Sequence, residues 1–189
     1  FLDIDAWGEH PFDEVPREYD ELVRKHGREA VEKFGVAPWA IDECYRMVVL
    51  ALQKGDWSAA GAWAADLGHS VADTHQPLHC TVNYDGQATG NNRVHFRFEV
   101  TMMERFFDEQ VIAAPASFPS AEEGALEFCF SWMADAYPGV AALLKADDDA
   151  KARDADYGDV YYERMWVLTE DLAARQMTRA VHDLGALWA

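Results

Sequence analysis

Five residues of the sequence have the side chains and the spacing of metal ligands: His69, Asp73, His79, His95 and Glu99. His69 and Asp73 stand four positions apart, which on a helix places both side chains on one face within reach of one cation. His95 and Glu99 repeat this spacing, and His79 lies between the two pairs. One such pair also arises as an ordinary ion pair on a helix surface, whereas two pairs with a histidine between them favour a metal site.

The types of ligand indicate zinc. Imidazole together with carboxylate suits this borderline cation, whereas an all-oxygen set is typical of calcium or magnesium. His79, His95 and Glu99 are sufficient for one three-ligand site, which leaves a coordination position for water or substrate, as catalytic zinc requires. His69 and Asp73 form an incomplete site, in which Asp73 could bridge two cations and further ligands must come from elsewhere.

The elements that position these residues are expected to be helices. Asp56 predicts the N-cap of a helix that carries His69 and Asp73 and ends before Pro77. Residues 80–92 are rich in Asn, Asp, Gly and Thr, which predicts a loop. Helical periodicity resumes over residues 94–111 and places His95 and Glu99 on the same helix.

The remainder of the chain also has a helical pattern. Helices are predicted up to Gly27, from Arg28 to Phe34, from Pro38 to Gly55, and from Val160 to Trp188, with a capping box at Ser120 and Glu123 before another. A polar stretch, residues 145–159, is expected to separate the last two helices. Its acidic run, residues 147–149, lacks the alternation and the glycine of a calcium loop, so we predict a solvated loop. No strand pattern competes, so the sequence predicts one all-α domain over residues 1–189.

Composition limits the class of protein. The formal net charge is −18, which argues against a protein that binds nucleic acid through an extended basic surface. An acidic enzyme can still hold one phosphate through bound cations. No apolar run is long enough to predict a membrane span. The three cysteines have no zinc-knuckle spacing; we expect mostly buried thiols, with one disulfide left open.

The segment Gly68–His79, GHSVADTHQPLH, resembles the signature of the S1/P1 nuclease and zinc-dependent phospholipase C superfamily. In that superfamily the zinc ligands include a His-x3-Asp pair, a histidine six residues after the aspartate, and a later His-x3-acid pair. Each falls on a matching position here, the later pair being His95 and Glu99. The segments NYDGQATG, residues 83–90, and VAPWAIDECY, residues 36–45, resemble bacterial members of the superfamily.

The resemblance implies a mainly α-helical fold with up to three zinc ions in a cleft. Two ions would be bridged by Asp73, and the third would be held by His79, His95 and Glu99. A metal-activated water, oriented by Asp73, would attack phosphorus while zinc neutralises the phosphoryl oxygens. The substrate would be a phosphoester in single-stranded nucleic acid or in a phospholipid headgroup, and the family favours a secreted or periplasmic location.

The beginning of the chain departs from the family pattern. Family members begin with a tryptophan that binds zinc, followed by a histidine and an aspartate ligand, and none of these is identifiable here. The segment FLDID resembles a family segment, His-[Phe/Tyr]-Ile-Asp, whose ligand histidine would precede Phe1, so part of the fold is expected to be missing before it. Trp7 and His10 imitate the family's start but are not assigned as ligands.

Two further residues carry a role that the resemblance implies. Phe1 and Asp3 occupy positions that, in the nuclease branch, stack on and hydrogen-bond a nucleobase. Glu99, by contrast, follows the phospholipase pattern, so both branches stay open. A different class is a catalytically incomplete zinc-binding homologue with a binding or structural role. His75 lies inside the signature, but its position is left out of the zinc shell, so we expect it to support a zinc ligand or to have a structural role.

Overall fold

The computed structural model describes residues 1–108, 112, 118 and 124–189, and the regular secondary structure of these residues is helical without any strand. This confirms the predicted all-α class. No helix in this part of the chain has the length and apolar character needed to cross a membrane. The helices are α1 (Pro11–Glu14), α2 (Tyr19–His26), α3 (Arg28–Phe34), α4 (Ala37–Gln53), α5 (Trp57–His75), α6 (Val94–Phe96), α7 (Met103–Phe106), α8 (Ala125–Ala136), α9 (Gly139–Lys151) and α10 (Asp159–Trp188).

Three shorter elements complete the chain path and lie near the predicted ligands. Single turns of 3-10 helix form at Ile4–Trp7 and at Pro77–Cys80. A π-helical segment, Arg97–Met102, joins α6 to α7, so that these three elements form one continuous helical stretch. Segments of π-helix are rare and are frequent at functional sites, so its position beside two predicted ligands is informative.

Helix α5 begins and ends where the sequence predicts. The Asp56 carboxylate accepts a hydrogen bond from the Ala59 amide at 3.0 Å, which satisfies one of the free donors of the first turn. Pro77 disfavours the helical conformation at the preceding residue, and Gln76 is indeed extended. The chain then turns into the 3-10 segment that carries His79.

In the described part of the chain, the apolar side chains of the core form two clusters. The first joins the N-terminal residues to α4, α5 and α8, and includes the fully buried Leu2, Ile41 and Leu67. The second joins the π-helical segment to α9 and α10, and includes Met102 and Tyr161. Each fully buried aliphatic side chain contributes about 1.5–3 kcal/mol. Helix α5 packs against α4, α8 and α10, and the predicted ligands therefore lie on or beside a central element.

The prediction of a loop over residues 145–159 is wrong for its first half. Helix α9 continues to Lys151, and the acidic run is helical, with Asp147 completely buried. Arg97 and Tyr161 both donate hydrogen bonds to the Asp147 carboxylate, and these partners are far away in sequence. A pattern of exposed charge cannot reveal such a partner. The capping box predicted at Ser120 and Glu123 lies outside the described residues.

The three cysteines are mostly buried free thiols, as predicted. Cys80 and Cys129 are buried, Cys44 is partly exposed, and none of the three forms a disulfide. Burial raises the pKa of the Cys80 thiol to about 12, which keeps it protonated at neutral pH. These residues therefore act as small apolar side chains of the core.

Candidate metal centre

Three of the five predicted ligands meet at one point. His79 comes from the 3-10 turn after α5, His95 from α6 and Glu99 from the π-helical segment. The two Nε2 atoms of the histidines lie 3.1 Å apart. The Glu99 Oε2 atom lies 2.6 Å from Nε2 of His95 and 3.4 Å from Nε2 of His79. These three residues could hold a metal ion.

The separations of the three ligand atoms fit a small cation. The point equidistant from them in their plane lies about 1.8 Å from each, close to zinc–ligand lengths of about 2.0–2.2 Å. An ion slightly out of that plane would therefore reach all three atoms at normal bond lengths. Two imidazoles and one carboxylate are also a donor set that suits zinc and leaves a coordination position open.

Glu99 is held in the ionised state that a metal ligand needs. Hydrogen bonds with His79 and His95 hold the pKa of the Glu99 carboxyl well below its usual range, although partial burial opposes this. Gln76 contributes a third hydrogen bond, since its Nε2 donates to Glu99 Oε2 at 3.0 Å. The other atom of this amide, Oε1, accepts from the Leu78 amide at 2.6 Å, which fixes its orientation. Gln76 therefore positions Glu99.

Asp73 and His69 lie at the edge of this group. The Asp73 Oδ2 atom is 3.4 Å from Nε2 of His69 and 3.8 Å from Nδ1 of His79. His79 thus directs one ring nitrogen to the other two ligands and the second towards Asp73. His69 has an exposed side chain on α5. The structure places Asp73 next to the three-residue group and His69 beyond it.

His75 has a purely structural environment, in agreement with its exclusion from the ligands. Its ring is buried and stacks on Trp132, with the ring centroids 5.1 Å apart. Nδ1 lies 2.8 Å from the Val71 carbonyl oxygen, and Nε2 lies 2.8 Å from the Asp183 carboxylate. Both ring nitrogens are therefore occupied, and the residue links α5 to α10.

A pocket of about 570 Å³ opens beside the candidate metal centre. His79 and His95 form one wall, so a ligand in the pocket would contact the same side chains that could hold an ion. Lys33 is the cationic side chain among the described lining residues. Phe1 and Tyr84 are half-exposed at the rim, where a flat ring could stack on them. The other described residues of the lining are Asp3, Phe34, Leu78 and Val82.

The first residues of the chain are fixed against this pocket by backbone hydrogen bonds. The Leu2 amide donates to the His79 carbonyl at 3.0 Å, and the Asp3 amide donates to the Phe34 carbonyl at 2.8 Å. Gly35 has a φ of +91°, and a Cβ there would lie 2.3 Å from the Phe1 carbonyl oxygen. Only glycine fits this close approach. Phe1 and Asp3 therefore have defined positions beside the candidate metal centre.

Asp3 gives the site a dependence on pH. Burial, and then the nearby Asp5 carboxylate, raise its pKa to about 6. The folded state thus binds the Asp3 proton more tightly than the unfolded state does. The stability that this protonated carboxyl contributes is fully present below about pH 4 and is lost as the pH rises through 6. Asparagine does not titrate, so Asp3→Asn avoids this loss. We expect the free energy of unfolding of Asp3→Asn, relative to that of the unchanged protein, to increase by up to about 3 kcal/mol between pH 4 and pH 7.5.

Urea unfolding at both pH values measures this difference. A chelator is present, because a nearby cation would favour the carboxylate form of Asp3. An Asp3→Asn effect that is the same at pH 4 and pH 7.5 would contradict it.

Arg97 anchors the segment that carries two of the ligands. It lies between His95 and Glu99 in sequence, and its guanidinium pairs with the buried Asp147 carboxylate. Nη1 of Arg97 also donates to the Asn92 carbonyl at 2.7 Å, and Nε donates to the Tyr161 hydroxyl at 2.9 Å. These contacts tie the start of the π-helical segment to α9 and α10, and so fix the backbone between the two ligands.

Sequence reasoning missed three residues that belong to this site. Gln76 has a signal in the motif itself, since it stands between Asp73 and His79, but its position beside the end of a helix does not indicate contact with Glu99. Lys33 and Tyr84 have no local signal. Their positions at the pocket depend on how α3 and the loop after Cys80 pack against the ligands.

Replacing Gln76 by methionine is expected to weaken the binding of a metal ion at the candidate centre. The change removes the hydrogen bond to Glu99 while keeping a side chain of similar size. Outer partners of metal ligands typically contribute about 10–100-fold to metal affinity, so we expect a loss in that range. Competition with a coloured chelator measures the affinity, and Gln53→Met on the exposed end of α4 serves as the matched control. Equal affinity of the two variants would show that Gln76 does not support the ligand.

Comparisons of the chain with protein-family models, with curated proteins and with solved structures found no match. The fold and the geometry define an all-α protein with a candidate metal centre of two histidines and one glutamate. The resemblance to the S1/P1 nuclease and phospholipase C superfamily, and the functions that this resemblance implies, therefore depend on the motif residues alone.

Proposed function

We propose that the protein is a zinc-dependent phosphodiester hydrolase. The proposal is based on the positions of His79, His95 and Glu99, which lie together at the wall of a pocket large enough for a substrate. A structural zinc site is normally closed by four protein ligands, whereas catalytic sites keep an open position. A three-ligand group that borders a pocket is the arrangement expected of the catalytic kind.

The chain's own residues supply most of what such a reaction needs. Hydrolysis of a phosphodiester forms one P–O bond from water and breaks another. Zinc, when bound, would act as a Lewis acid towards a phosphoryl oxygen and would favour deprotonation of water. Asp73, whose carboxylate is partly exposed beside His79, accepts a hydrogen bond from the attacking water and orients it. Lys33 contributes positive charge for the phosphate.

The pocket favours single-stranded nucleic acid as the substrate class. Phe1 and Tyr84 offer ring faces at the rim, and base–aromatic stacking contributes about 1–3 kcal/mol per base. The Asp3 carboxylate accepts a hydrogen bond from a base N–H. These are the roles implied by the resemblance for Phe1 and Asp3. A choline headgroup also suits aromatic side chains, so phospholipid hydrolysis is the outcome to be distinguished.

The strongly acidic charge is compatible with this substrate. A net charge of −18 repels an extended polyanion, so affinity must come from a few local contacts near the scissile phosphate. Bound cations and Lys33 supply positive charge there. We therefore expect short single strands to be hydrolysed as well as long ones, because contacts far from the site add little.

The test is hydrolysis of single-stranded DNA and of phosphatidylcholine vesicles by the zinc-loaded protein. The proposal expects DNA cleavage that a chelator abolishes and that added zinc restores, and no cleavage by Glu99→Gln. Hydrolysis of phosphatidylcholine alone would keep the reaction class and replace the substrate. Bound zinc with neither activity would contradict the proposal.

A second candidate function is zinc binding without catalysis, in a binding or structural role. It is favoured by the finding that the described residues form one three-residue group that could hold a metal ion, and that neither His69 nor Asp73 belongs to such a group in that part of the chain. One bound zinc ion per chain, together with the absence of both hydrolytic activities, is the result that this alternative predicts.

A further inference from the structure

A second cavity, of about 220 Å³, lies between α5, the π-helical segment and α10. Its walls are mostly apolar, with Phe98, Met103 and Met177 among the lining residues. Small side chains of α10, Ala173 and Ala180, leave the space open. The volume is below the roughly 300–1,000 Å³ of pockets for drug-sized ligands, so one ring fits it better than a long chain.

Gln176 gives this cavity a polar group that lacks a partner. Its side chain lines the cavity and is only 6 % exposed, and neither Nε2 nor Oε1 has a hydrogen-bond partner. A buried amide group without a hydrogen-bond partner destabilises the folded state, because it has lost its hydrogen bonds to water and gained none. Such groups are rare in native structures and call for a ligand or an ordered water. The amide presents a donor and an acceptor side by side.

The cavity also borders the candidate metal centre. Asp73, Gln76 and Glu99 form part of its lining. The first pocket meets the same centre through His79 and His95, and Nε2 of His79 lies 3.4 Å from Oε2 of Glu99. The two pockets therefore border one group of three ligands through different residues. A phosphate held at this group would have both pockets beside it.

We propose that the cavity beside Gln176 is a second nucleobase pocket, which receives the base on the other side of the scissile phosphate from the base at Phe1 and Asp3. This inference rests on the proposed function. The edge of thymine carries an N–H beside a carbonyl, and these two groups complement the Gln176 amide. Phe98, Met103 and Met177 provide apolar and polarizable contacts for the ring faces.

An acyl chain is a poorer occupant of the same space. It would fill the apolar part of the cavity but leave both Gln176 groups buried without hydrogen bonds, whereas a base satisfies both. The substrate class that follows is a single strand with two unpaired neighbouring bases, which fits two separated pockets. A base-paired strand cannot offer both base edges at once.

The first test compares two phosphodiesters with the zinc-loaded protein. Dithymidine phosphate offers two bases, and thymidine 3′-methyl phosphate offers one. We expect the KM for the two-base ester to be about 10-fold lower, in line with two hydrogen bonds of ordinary strength. In Gln176→Met, which has a similar size but no amide, this difference should vanish with little change in kcat. Gln53→Met is the control that should retain it.

The second test does not depend on hydrolysis. In the nuclear magnetic resonance spectrum of the 15N-labelled protein, thymidine should shift the side-chain amide signals of Gln176, which Gln176→Met identifies by their absence. A shift without any hydrolytic activity would support the pocket while contradicting the proposed function. Hydrolysis with unshifted signals and an unchanged KM ratio in Gln176→Met would overturn the pocket alone. Shifts produced by short-chain phosphatidylcholine and not by thymidine would also overturn it.

Discussion

Replacing Asp147 by asparagine is expected to lower the free energy of unfolding by about 3–5 kcal/mol, the usual cost of removing one partner of a buried ion pair. Asp147 is fully buried and pairs with Arg97, whose guanidinium is also buried. Asparagine keeps the shape but leaves the guanidinium charge without its counter-ion. Because domains of this size have about 5–15 kcal/mol of stability, this change removes a large part of it.

Urea unfolding of Asp147→Asn and of a matched variant measures the effect. Asp149→Asn removes an acid of the same run whose partner, Lys145, is exposed, so we expect this change to lower the free energy of unfolding far less than Asp147→Asn does. We also expect weaker zinc binding in Asp147→Asn, because Arg97 fixes the backbone between His95 and Glu99. Equal stability of the two variants would show that the buried pair does not hold the π-helical segment in place.

Replacing His95 by alanine is expected to abolish hydrolysis and to weaken zinc binding by at least about 100-fold, more than the loss of an outer partner. The Nε2 atom of His95 lies within 3.1 Å of His79 Nε2 and within 2.6 Å of Glu99 Oε2, so its removal leaves two ligands. Two ligands are too few for a stable zinc site in a protein. Both zinc affinity and the rate of cleavage of single-stranded DNA measure the effect.

The matched control for this prediction is His10→Ala. His10 is exposed and lies at the start of α1, and the sequence alone gives it a superficial likeness to a ligand of the superfamily. We expect normal zinc affinity and normal activity for this variant. If His10→Ala loses zinc as strongly as His95→Ala, the ligand set is wrong.

The parts of the site that could be predicted from the sequence are those that depend on local spacing. His95 and Glu99 are four residues apart in one helical stretch. His79 follows the end of a helix, which Pro77 predicts. The types and spacing of these residues therefore favour a metal site. Whether His79 meets the later pair depends on how the loop after Cys80 folds and brings His95 and Glu99 next to it. Contacts such as the hydrogen bonds of Asn91 with Asp147 and Asp148 hold this loop in place, and no periodicity in the sequence reveals them.

The fold shows the same division. Helix α5 has an N-cap, an apolar face and a proline after its end, and all three are local, so its bounds are predictable. The sequence predicts a loop for the acidic run of α9, because charged residues are normally solvated and Arg97, the buried partner of Asp147, lies on a different element. The cavity beside Gln176 arises from the packing of three elements, so a single glutamine in α10 carries no sign of it.

We propose that His79, His95 and Glu99 hold a zinc ion at the wall of the substrate pocket. Anomalous diffraction at the zinc absorption edge, from crystals grown with zinc, would locate this ion. The expected result is a peak about 2.0–2.2 Å from His79 Nε2, His95 Nε2 and one Glu99 carboxylate oxygen. A zinc-containing crystal with no peak among these three residues would show that they do not form the zinc site.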